Sequence, residues 1–277
     1  MKHAPNSVEE AAETVRHAKK LRICGSGAKK DFGCPIASDC DEISTEKLVG
    51  IREWSPDDLV VVAGAGTKIA DLQRELATKN QGLPIPPGDD ITAGLPGTVG
   101  GLVAANLPTR WDAATKGVRY WVLGLHIVRA DGAIAKCGSK AVKNVAGYDA
   151  QKAFVGSYGT LGLITDVILR AFPRASFPSD DAPEWRAALP LMIARTKLSD
   201  VNTFAAEFGN KYVDESSGTV WAEVQSPAKL PKDSWAIYAG LGKDNITLSL
   251  ANLDIMQGLK HNLDPGAKFN PGILGEI

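Results

Sequence analysis

Three glycine-rich loops are the segments of this sequence best suited to bind a charged ligand. They occupy residues 25–30 (GSGAKK), 64–67 (GAGT) and 94–106 (GLPGTVGGLVAAN). Glycine lets the backbone adopt positive φ and approach a ligand closely, and successive backbone N–H groups in such loops form concavities that bind anions. Each loop alone is more typical of an ordinary turn, but each adjoins an apolar strand or a small-residue helix. Together they are as consistent with a phosphate-binding site as with ordinary turns.

A fourth segment carries two further turns and leads into an apolar strand. Residues 142–170 read VKNVAGYDAQKAFVGSYGTLGLITDVILR, with an Asn/Gly turn, a Tyr-Asp pair and a Gly-Thr-Leu-Gly turn. Two glycine turns before one strand suggest a chain wrapped around a flat ligand with polar ends.

The common nucleotide-binding motifs are absent. A Rossmann fingerprint would need glycine where Lys30 stands. The nearest trace of a Walker A loop, Gly242-Lys243, has Ile237 in place of the first glycine and Asp244 in place of Ser or Thr. The loops are therefore either ordinary turns or parts of another kind of site.

The elements around these loops are predicted to be mixed helices and strands. Ser7 and Glu10 form a capping box for the first helix, and Thr67 is a good N-cap for the second. The adjacent aromatics Tyr120 and Trp121 are expected in a core or an interface. Helices are predicted at 5–19, after Thr67, after the loop at 94, at 184–196 and at 246–260. Strands are predicted at 21–23, 60–63, 122–130, 219–225 and 235–240, with a hairpin turn at Asp131-Gly132.

Composition is that of an ordinary globular protein. The 277 residues are 44% hydrophobic and 23% charged with a net charge of −1, so no overall charge favours nucleic acid or anionic lipid. No apolar run is long enough to span a membrane, and the acidic N-terminal segment does not resemble a signal peptide, which favours a cytoplasmic location. The spacings of the four cysteines and four histidines match no metal motif, so we predict reduced thiols and no metal.

The order of these motifs resembles the FAD-linked oxidases, the vanillyl-alcohol-oxidase (PCMH-type) superfamily. The resemblance covers about residues 1–173 and runs through GSGAKKDFG, AGAGTKIADL, PGTVGGLVAAN, VLGLHIVRADG, KNVAGYD and GSYGTLGLITDVILR, and LDPGAKFNPGIL at 263–274 resembles the family's closing segment. It implies an α+β fold: a PCMH-type FAD-binding domain of two α+β subdomains at 1–173, then a small α+β C-terminal cap domain at 174–277.

The resemblance also implies which residues contact the cofactor. The loop at 25–29 would wrap the FAD pyrophosphate, and the loop at 97–106 would line the pyrophosphate and ribityl side. A strand backbone would hold the flavin or adenine end, and a terminal asparagine would lie near the isoalloxazine. These positions are Gly25, Ser26, Gly27, Ala28 and Lys29; Gly97, Thr98, Gly100, Gly101, Ala105 and Asn106; Ile164; and Asn270. Lys29 is either a charge at this site or a solvated lysine. The first loop lacks the histidine that tethers FAD in some members, which implies non-covalent FAD.

The implied function is that of the FAD-binding subunit of a glycolate oxidase (glycolate dehydrogenase) type of complex. Flavin would accept a hydride from a 2-hydroxy acid such as glycolate or D-lactate, and electrons would pass to partner subunits. The implied partners are a homologous FAD-linked oxidase subunit and an iron–sulfur subunit, through which the chain would lie peripheral to the inner membrane. No catalytic residue is identified. Two alternatives remain: a stand-alone FAD-dependent oxidase, and a non-redox assembly subunit that retains the fold.

Overall fold

A computed structural model describes residues 1–86, 97–140, 149–178, 189–244, 246–249 and 253–275. The strands are β1 (Lys2–His3), β2 (Leu21–Cys24), β3 (Asp41–Ser44), β4 (Ile51–Ser55), β5 (Val60–Gly64), β6 (Gln81–Gly82), β7 (Val122–Val128), β8 (Ile134–Gly138), β9 (Leu163–Arg170), β10 (Phe172–Pro173), β11 (Leu191–Arg195), β12 (Lys211–Asp214), β13 (Thr219–Glu223), β14 (Ser234–Ala239) and β15 (Ile246–Ser249). The helices are α1 (Val8–His17), α2 (Ile69–Ala77), α3 (Val99–Ala105), α4 (Asp112–Thr115), α5 (Val118–Trp121), α6 (Gln151–Phe154), α7 (Val201–Ala205) and α8 (Leu253–Leu263).

The N-terminal residues form a small parallel sheet covered by α1. The sheet order is β1-β3-β2. Helix α1 begins where the sequence predicts, because the Ser7 hydroxyl accepts a hydrogen bond from the Glu10 N–H at 3.1 Å. The Glu10 carboxylate, however, accepts from the Asn6 N–H and not from Ser7. The apolar face of α1, with Ala11 and Val15, packs on Leu21 and Ile43 of the sheet.

A five-stranded antiparallel sheet forms the second layer. Its order is β4-β5-β9-β7-β8. Every residue of β5 is buried and so is nearly all of β9, because their side chains pack into apolar clusters on both faces of the sheet. Helices α2, α3 and α5 contribute Leu72, Leu102 and Trp121 to the core of this layer. The two layers together give the α+β architecture that the sequence predicts.

A second five-stranded antiparallel sheet lies in the C-terminal part, in the order β12-β13-β11-β14-β15. Side chains alternate between its faces. Met192 and Ala194 of β11 pack under α7, whereas Leu191 and Ile193 pack toward Phe32, Leu107 and Tyr158 of the N-terminal part. The sheet therefore lies directly on residues that follow the glycine loops at 25–30 and 94–106.

The last residues return to the N-terminal layers. Phe269 pairs with Leu21 of β2, and the Asn270 N–H donates to the Leu21 carbonyl at 2.8 Å. The N–H groups of Cys34 and Ala37 donate to the carbonyls of Ile273 and Pro271. The domain boundary at 173/174 stays a prediction. The contacts of this C-terminal tail are with the N-terminal part of the chain.

Three predictions about local structure are wrong. The described part of the helix predicted at 184–196 is a strand, β11, because two antiparallel neighbours pair with all five of its residues; residues 184–188 lie outside the described ranges. The helix predicted at 246–260 begins only at Leu253, since Ile246–Ser249 pairs with β14. Lys68, not Thr67, precedes α2, because the Thr67 hydroxyl accepts from the Gly50 N–H at 2.9 Å.

Candidate functional site

The first and second predicted cofactor loops meet at Gly25 and Thr98. A Cβ added to Gly25 would lie 2.5 Å from Thr98 Oγ1, closer than real Cβ contacts. Glycine at position 25 is therefore required for the approach of the two loops. Although 73 residues separate them in the sequence, the end of β2 and the start of α3 form one wall.

Helix α3 is fixed by contacts at its first residues. The Thr98 hydroxyl accepts from the Gly101 N–H at 3.3 Å, and the N–H groups of Val99 and Gly100 donate to the carbonyls of Thr67 and Ala65. A Cβ on Gly100 would lie 2.8 Å from Ala65 Cβ, so this glycine allows the helix to pack on the residue that follows β5.

Gly101 differs from Gly100 because space surrounds it. The nearest atom to a Cβ added there is Thr98 Oγ1 at 3.3 Å, and no other atom outside its own helix turn comes within 4 Å. Gly27 likewise has positive φ, +74°, and meets nothing within 4 Å. Gly101 and Gly27 are the glycines of these loops that leave room for a ligand, whereas Gly25 and Gly100 serve packing.

The turn at residues 156–160 joins the other end of α3. The N–H groups of Gly156 and Tyr158 donate to the carbonyls of Val103 and Ala104, at 3.0 and 2.8 Å. Asn106 ends the helix in the left-handed region, with φ +46°, and lies 3.5 Å from the Cβ position of Gly156. The Gly-Ser-Tyr-Gly turn therefore belongs to the same wall as the loops.

Asn270 connects this turn to β2. Its Oδ1 accepts from the Ile23 N–H at 2.7 Å, and its Nδ2 donates to the Tyr158 carbonyl at 2.7 Å. The side chain is buried, and both ends of its amide are hydrogen-bonded to backbone. Asn270 therefore acts in the structure as a clamp that holds β2 beside the Tyr158 turn.

Lys29 carries a buried ammonium that has no hydrogen-bond partner in the described part of the chain. Burial lowers the pKa of this lysine from 10.5 to about 8. An unpaired buried cation is costly unless an anion neutralises it. This cation and the open glycines Gly27 and Gly101 fit a ligand with a pyrophosphate group, which is the polar centre of FAD.

The remaining predicted cofactor contacts lie in several different environments. Ser26 is exposed and Ala28 half-buried in the first loop, and the Gly97 carbonyl accepts from the Ile69 N–H at 3.0 Å. Ala105 packs beneath the C-terminal sheet, near the wall. The Ile164 side chain lies in the core of the second layer, in one cluster with Val99 and Leu102 of α3, and the residue pairs with Ile127 of β7. Six of the seven residues of the KNVAGYD motif, 143–148, lie outside the described residues.

The structure adds residues to the wall that sequence reasoning did not assign to it. Tyr158 is buried with φ +52°, and burial raises its pKa. A Cβ on Gly159 would lie 2.8 Å from Asn270 Nδ2. Phe32 pairs with Ala239 of β14 and so joins the first loop to the C-terminal sheet. The Tyr-Gly pair within the glycine turn is the sequence signal that could have identified the first two.

An ion pair crosses between the same two parts of the chain. Arg195 of β11 lies with Nη2 3.4 Å from Asp112 Oδ2, and Asp112 Oδ1 accepts from the Thr109 N–H and hydroxyl at 3.1 and 2.8 Å. Burial raises the pKa of Asp112, and the hydrogen bonds from Thr109 and the Arg195 charge oppose that shift. The segment after α3 is thus held to the C-terminal sheet.

The described ranges contain neither a cluster of metal ligands nor a membrane-spanning helix. No group of three or more His, Cys, Asp or Glu side chains there is placed to hold a metal ion. None of the helices described has the length and apolar character needed to cross a bilayer.

Comparisons with known proteins agree with the cofactor indicated by this geometry. Residues 3–138 match the family described as FAD binding domain. The chain is 33% identical over 170 residues to glycolate oxidase subunit GlcE of Escherichia coli K12, covering 60% of this chain and 46% of that protein. It is 34% identical over 181 residues to glycolate oxidase subunit GlcD of Bacillus subtilis strain 168, covering 62% and 36%. It is 29% identical over 239 residues to D-lactate dehydrogenase of Archaeoglobus fulgidus, covering 82% and 52%.

A solved structure of alkyldihydroxyacetonephosphate synthase has the same fold over 74% of this chain and 35% of its own, with a TM-score of 0.50 and 16% identity. The present chain spans about half, or less, of the length of each of these relatives. The family match lies on the layers that carry the converging loops, and FAD is the cofactor of that family. This chain therefore contains an FAD-binding domain of the PCMH-type FAD-linked oxidase family.

Proposed function

We propose that this chain is the FAD-binding subunit of a complex that oxidises a 2-hydroxy acid to the 2-oxo acid. The observation that carries the proposal is that Gly25 and Gly101 both lie against Thr98 Oγ1, which brings the two predicted cofactor loops together in the part of the chain that matches an FAD-binding domain. Similarity to two glycolate oxidase subunits and a D-lactate dehydrogenase supports glycolate or D-lactate as substrate.

In this proposal the cofactor is bound without a covalent link. The loops at 25–29 and 97–101 line the pyrophosphate where Gly27 and Gly101 leave room for it, and Lys29 neutralises part of its charge. Asn270 and the Tyr158 turn set the separation of the two loops. Ile164 stays a proposed backbone contact for the flavin or adenine end.

The flavin accepts the hydride, and the protein binds and orients the reactants. The apolar face of the C-terminal sheet, with Ile193, Trp221 and Ile237, packs against the first loop and excludes water from that side. No described side chain is assigned as the base. We therefore infer that the substrate site is completed by a partner: a homologous FAD-linked oxidase subunit, with an iron–sulfur subunit as electron acceptor. Any association with the inner membrane would occur through these partners.

The test is anaerobic mixing of the purified, FAD-loaded chain with glycolate or D-lactate. Dependence on a partner predicts that the flavin absorbance stays unbleached on the time scale of turnover by a complete complex, and that it bleaches when the homologous subunit is added. Rapid bleaching by the chain alone would contradict that dependence.

The alternative of a stand-alone oxidase has one observation in its favour, because the match to D-lactate dehydrogenase covers 82% of this chain and so extends beyond residues 1–173. Bleaching by the chain alone would favour this alternative. A preparation that binds no FAD under any condition would instead favour a non-redox assembly subunit.

A further inference from the structure

An exposed aromatic ring held between two cations forms a distinct feature of the second layer. Helix α5 directs Trp121 into the core, fully buried, while Tyr120 beside it is 44% exposed. Lys116 Nζ lies 4.9 Å from the centre of the Tyr120 ring, and Arg170 Cζ lies 5.8 Å from it. We call Lys116, Arg119, Tyr120, Arg170 and Phe172 the Tyr120 surface.

Within the described ranges the cations of the Tyr120 surface form no ion pair, although the hydrogen bond from Lys152 and, to a smaller extent, the charge of Arg119 lower the pKa of Asp149. Lys116, Arg119 and Arg170 make no ion pair with a carboxylate of the described residues, unlike Lys152 and Arg52, which pair with Asp149 and Asp166. Arg170 donates to the Tyr120 hydroxyl at 3.3 Å, and Arg119 donates to the Lys152 carbonyl at 2.6 Å. Because the whole chain has a net charge of −1, this positive charge is local.

The geometry of the Tyr120 surface is fixed before any partner arrives. Lys116 has φ +63° and is followed by Gly117 at +68°, a left-handed pair that turns the lysine back over the ring. Arg170 is held by the Tyr120 hydroxyl and by the Phe172 ring, 5.2 Å from Cζ. Cations ordered in this way lose less entropy on binding than free surface side chains.

The Tyr120 surface lies away from Ile164, the predicted cofactor contact on β9. Ile164 and Arg170 are six residues apart on β9, which corresponds to about 20 Å along an extended strand. Changes at Tyr120 or Lys116 are therefore not expected to alter a cofactor contact at Ile164.

We propose that the Tyr120 surface is a docking site for an acidic segment of a partner protein. Carboxylates of that segment would pair with Lys116 and Arg170, and a side chain of the partner would pack on the Tyr120 ring. Tyr and Arg are enriched among the residues that carry binding energy at protein interfaces. The shape of the feature favours a protein over a lipid surface, because its central residue is a single ring bracketed by ordered cations rather than a row of mobile lysines.

The test measures binding of a fluorescent poly-L-glutamate peptide to the full chain by anisotropy. Lys116→Glu and Tyr120→Ala are each expected to weaken binding by about tenfold, since each removes an ion-pair or ring contact at a prearranged site. Lys229→Glu is the matched control. It makes the same charge change at an exposed lysine of the C-terminal part and should alter affinity by less than about twofold.

Thermal unfolding and flavin content establish that each variant is folded, and both should match the parent chain. Equal weakening by Lys116→Glu and Lys229→Glu, or no effect of Tyr120→Ala, would overturn the proposal, because either result means attraction to overall charge. Tyr120-dependent binding to phosphatidylserine vesicles without binding to the peptide would also overturn it, in favour of a membrane surface. None of these results depends on whether the chain oxidises a 2-hydroxy acid.

Discussion

At the scale of single residues, Lys29 gives the most direct test of the proposed cofactor site. Its ammonium is buried and unpaired, so Lys29→Met is expected to stabilise the apoprotein near pH 7 while weakening FAD binding by about tenfold or more. Chemical denaturation of the apoprotein and titration with FAD measure the two effects. A variant that loses stability and keeps its FAD affinity would contradict the role of Lys29 at the pyrophosphate.

The pKa of Lys29 also predicts a pH dependence. Between its folded pKa of about 8 and its unfolded value of 10.5, the unfolded chain binds more protons, so stability of the apoprotein rises with pH in that window. Bound pyrophosphate favours the protonated amine, so FAD affinity should fall as the pH rises through about 8. Titrations on either side of pH 8 test this, and the dependence should be absent in Lys29→Met.

Asn270 is the second decisive residue. Asn270→Ala would leave the Ile23 N–H and the Tyr158 carbonyl without their partner, which should cost about 2 kcal/mol of unfolding free energy and weaken FAD binding. Asn262→Ala is the matched control, because Asn262 is exposed and bonds only within α8. Similar losses of unfolding free energy for the two variants, measured by urea unfolding, would contradict the role of Asn270 as a clamp.

At the scale of elements, the two adjacent glycines of α3 should respond differently to the same change. Gly100→Val would overlap Ala65 and cost about 1–3 kcal/mol or more, whereas Gly101→Val has space in the protein but projects toward the pyrophosphate. We expect Gly101→Val to be folded and colourless and Gly100→Val to be destabilised. Circular dichroism and flavin absorbance distinguish them, and a yellow Gly101→Val protein would contradict the loop assignment.

Individual helices and strands show where the local sequence pattern was sufficient to predict secondary structure and where it was not. Helix α1 and strand β5 follow from an N-cap with apolar periodicity and from a continuous β-branched run. The strands β11 and β15 were predicted as helices, because short apolar runs are ambiguous and only pairing with β13 and β14 decides between the two states. Thr67 was predicted as an N-cap, but its hydroxyl bonds to Gly50, a contact that is invisible in the local sequence.

At the scale of the whole molecule, the closing segment ties the C-terminal part to the FAD-binding layers. Asp264 is fully buried and accepts from the N–H groups of Lys268 and Phe269 and from Lys260 Nζ, which also donates to the Thr160 carbonyl. Lys268 in turn donates to the carbonyls of Val15 and Ala130, at 2.7 Å each. The tail that positions Asn270 therefore depends on these charges.

Asp264→Asn should accordingly destabilise the protein by about 3–5 kcal/mol, because it leaves the nearly buried Lys260 ammonium without a countercharge. Loss of tail docking should also lower FAD affinity, since Asn270 lies six residues on. Denaturant unfolding and FAD titration measure both effects. Asp254→Asn at the exposed start of α8 is the control and should change neither.

The order and spacing of the glycine motifs were enough to predict the fold class and the FAD-binding domain, because that order resembles a known family. The cofactor role of the loops at 25–29 and 97–106 stays a prediction. The sequence could not rank the glycines, since only contacts separate Gly100, packed on Ala65, from Gly101, which faces open space. Nor could it decide between a solvated and a buried Lys29, or show that Asn270 clamps β2 to the Tyr158 turn. Burial and long-range hydrogen bonds exist only once distant segments have packed together, and so the tertiary structure decided them.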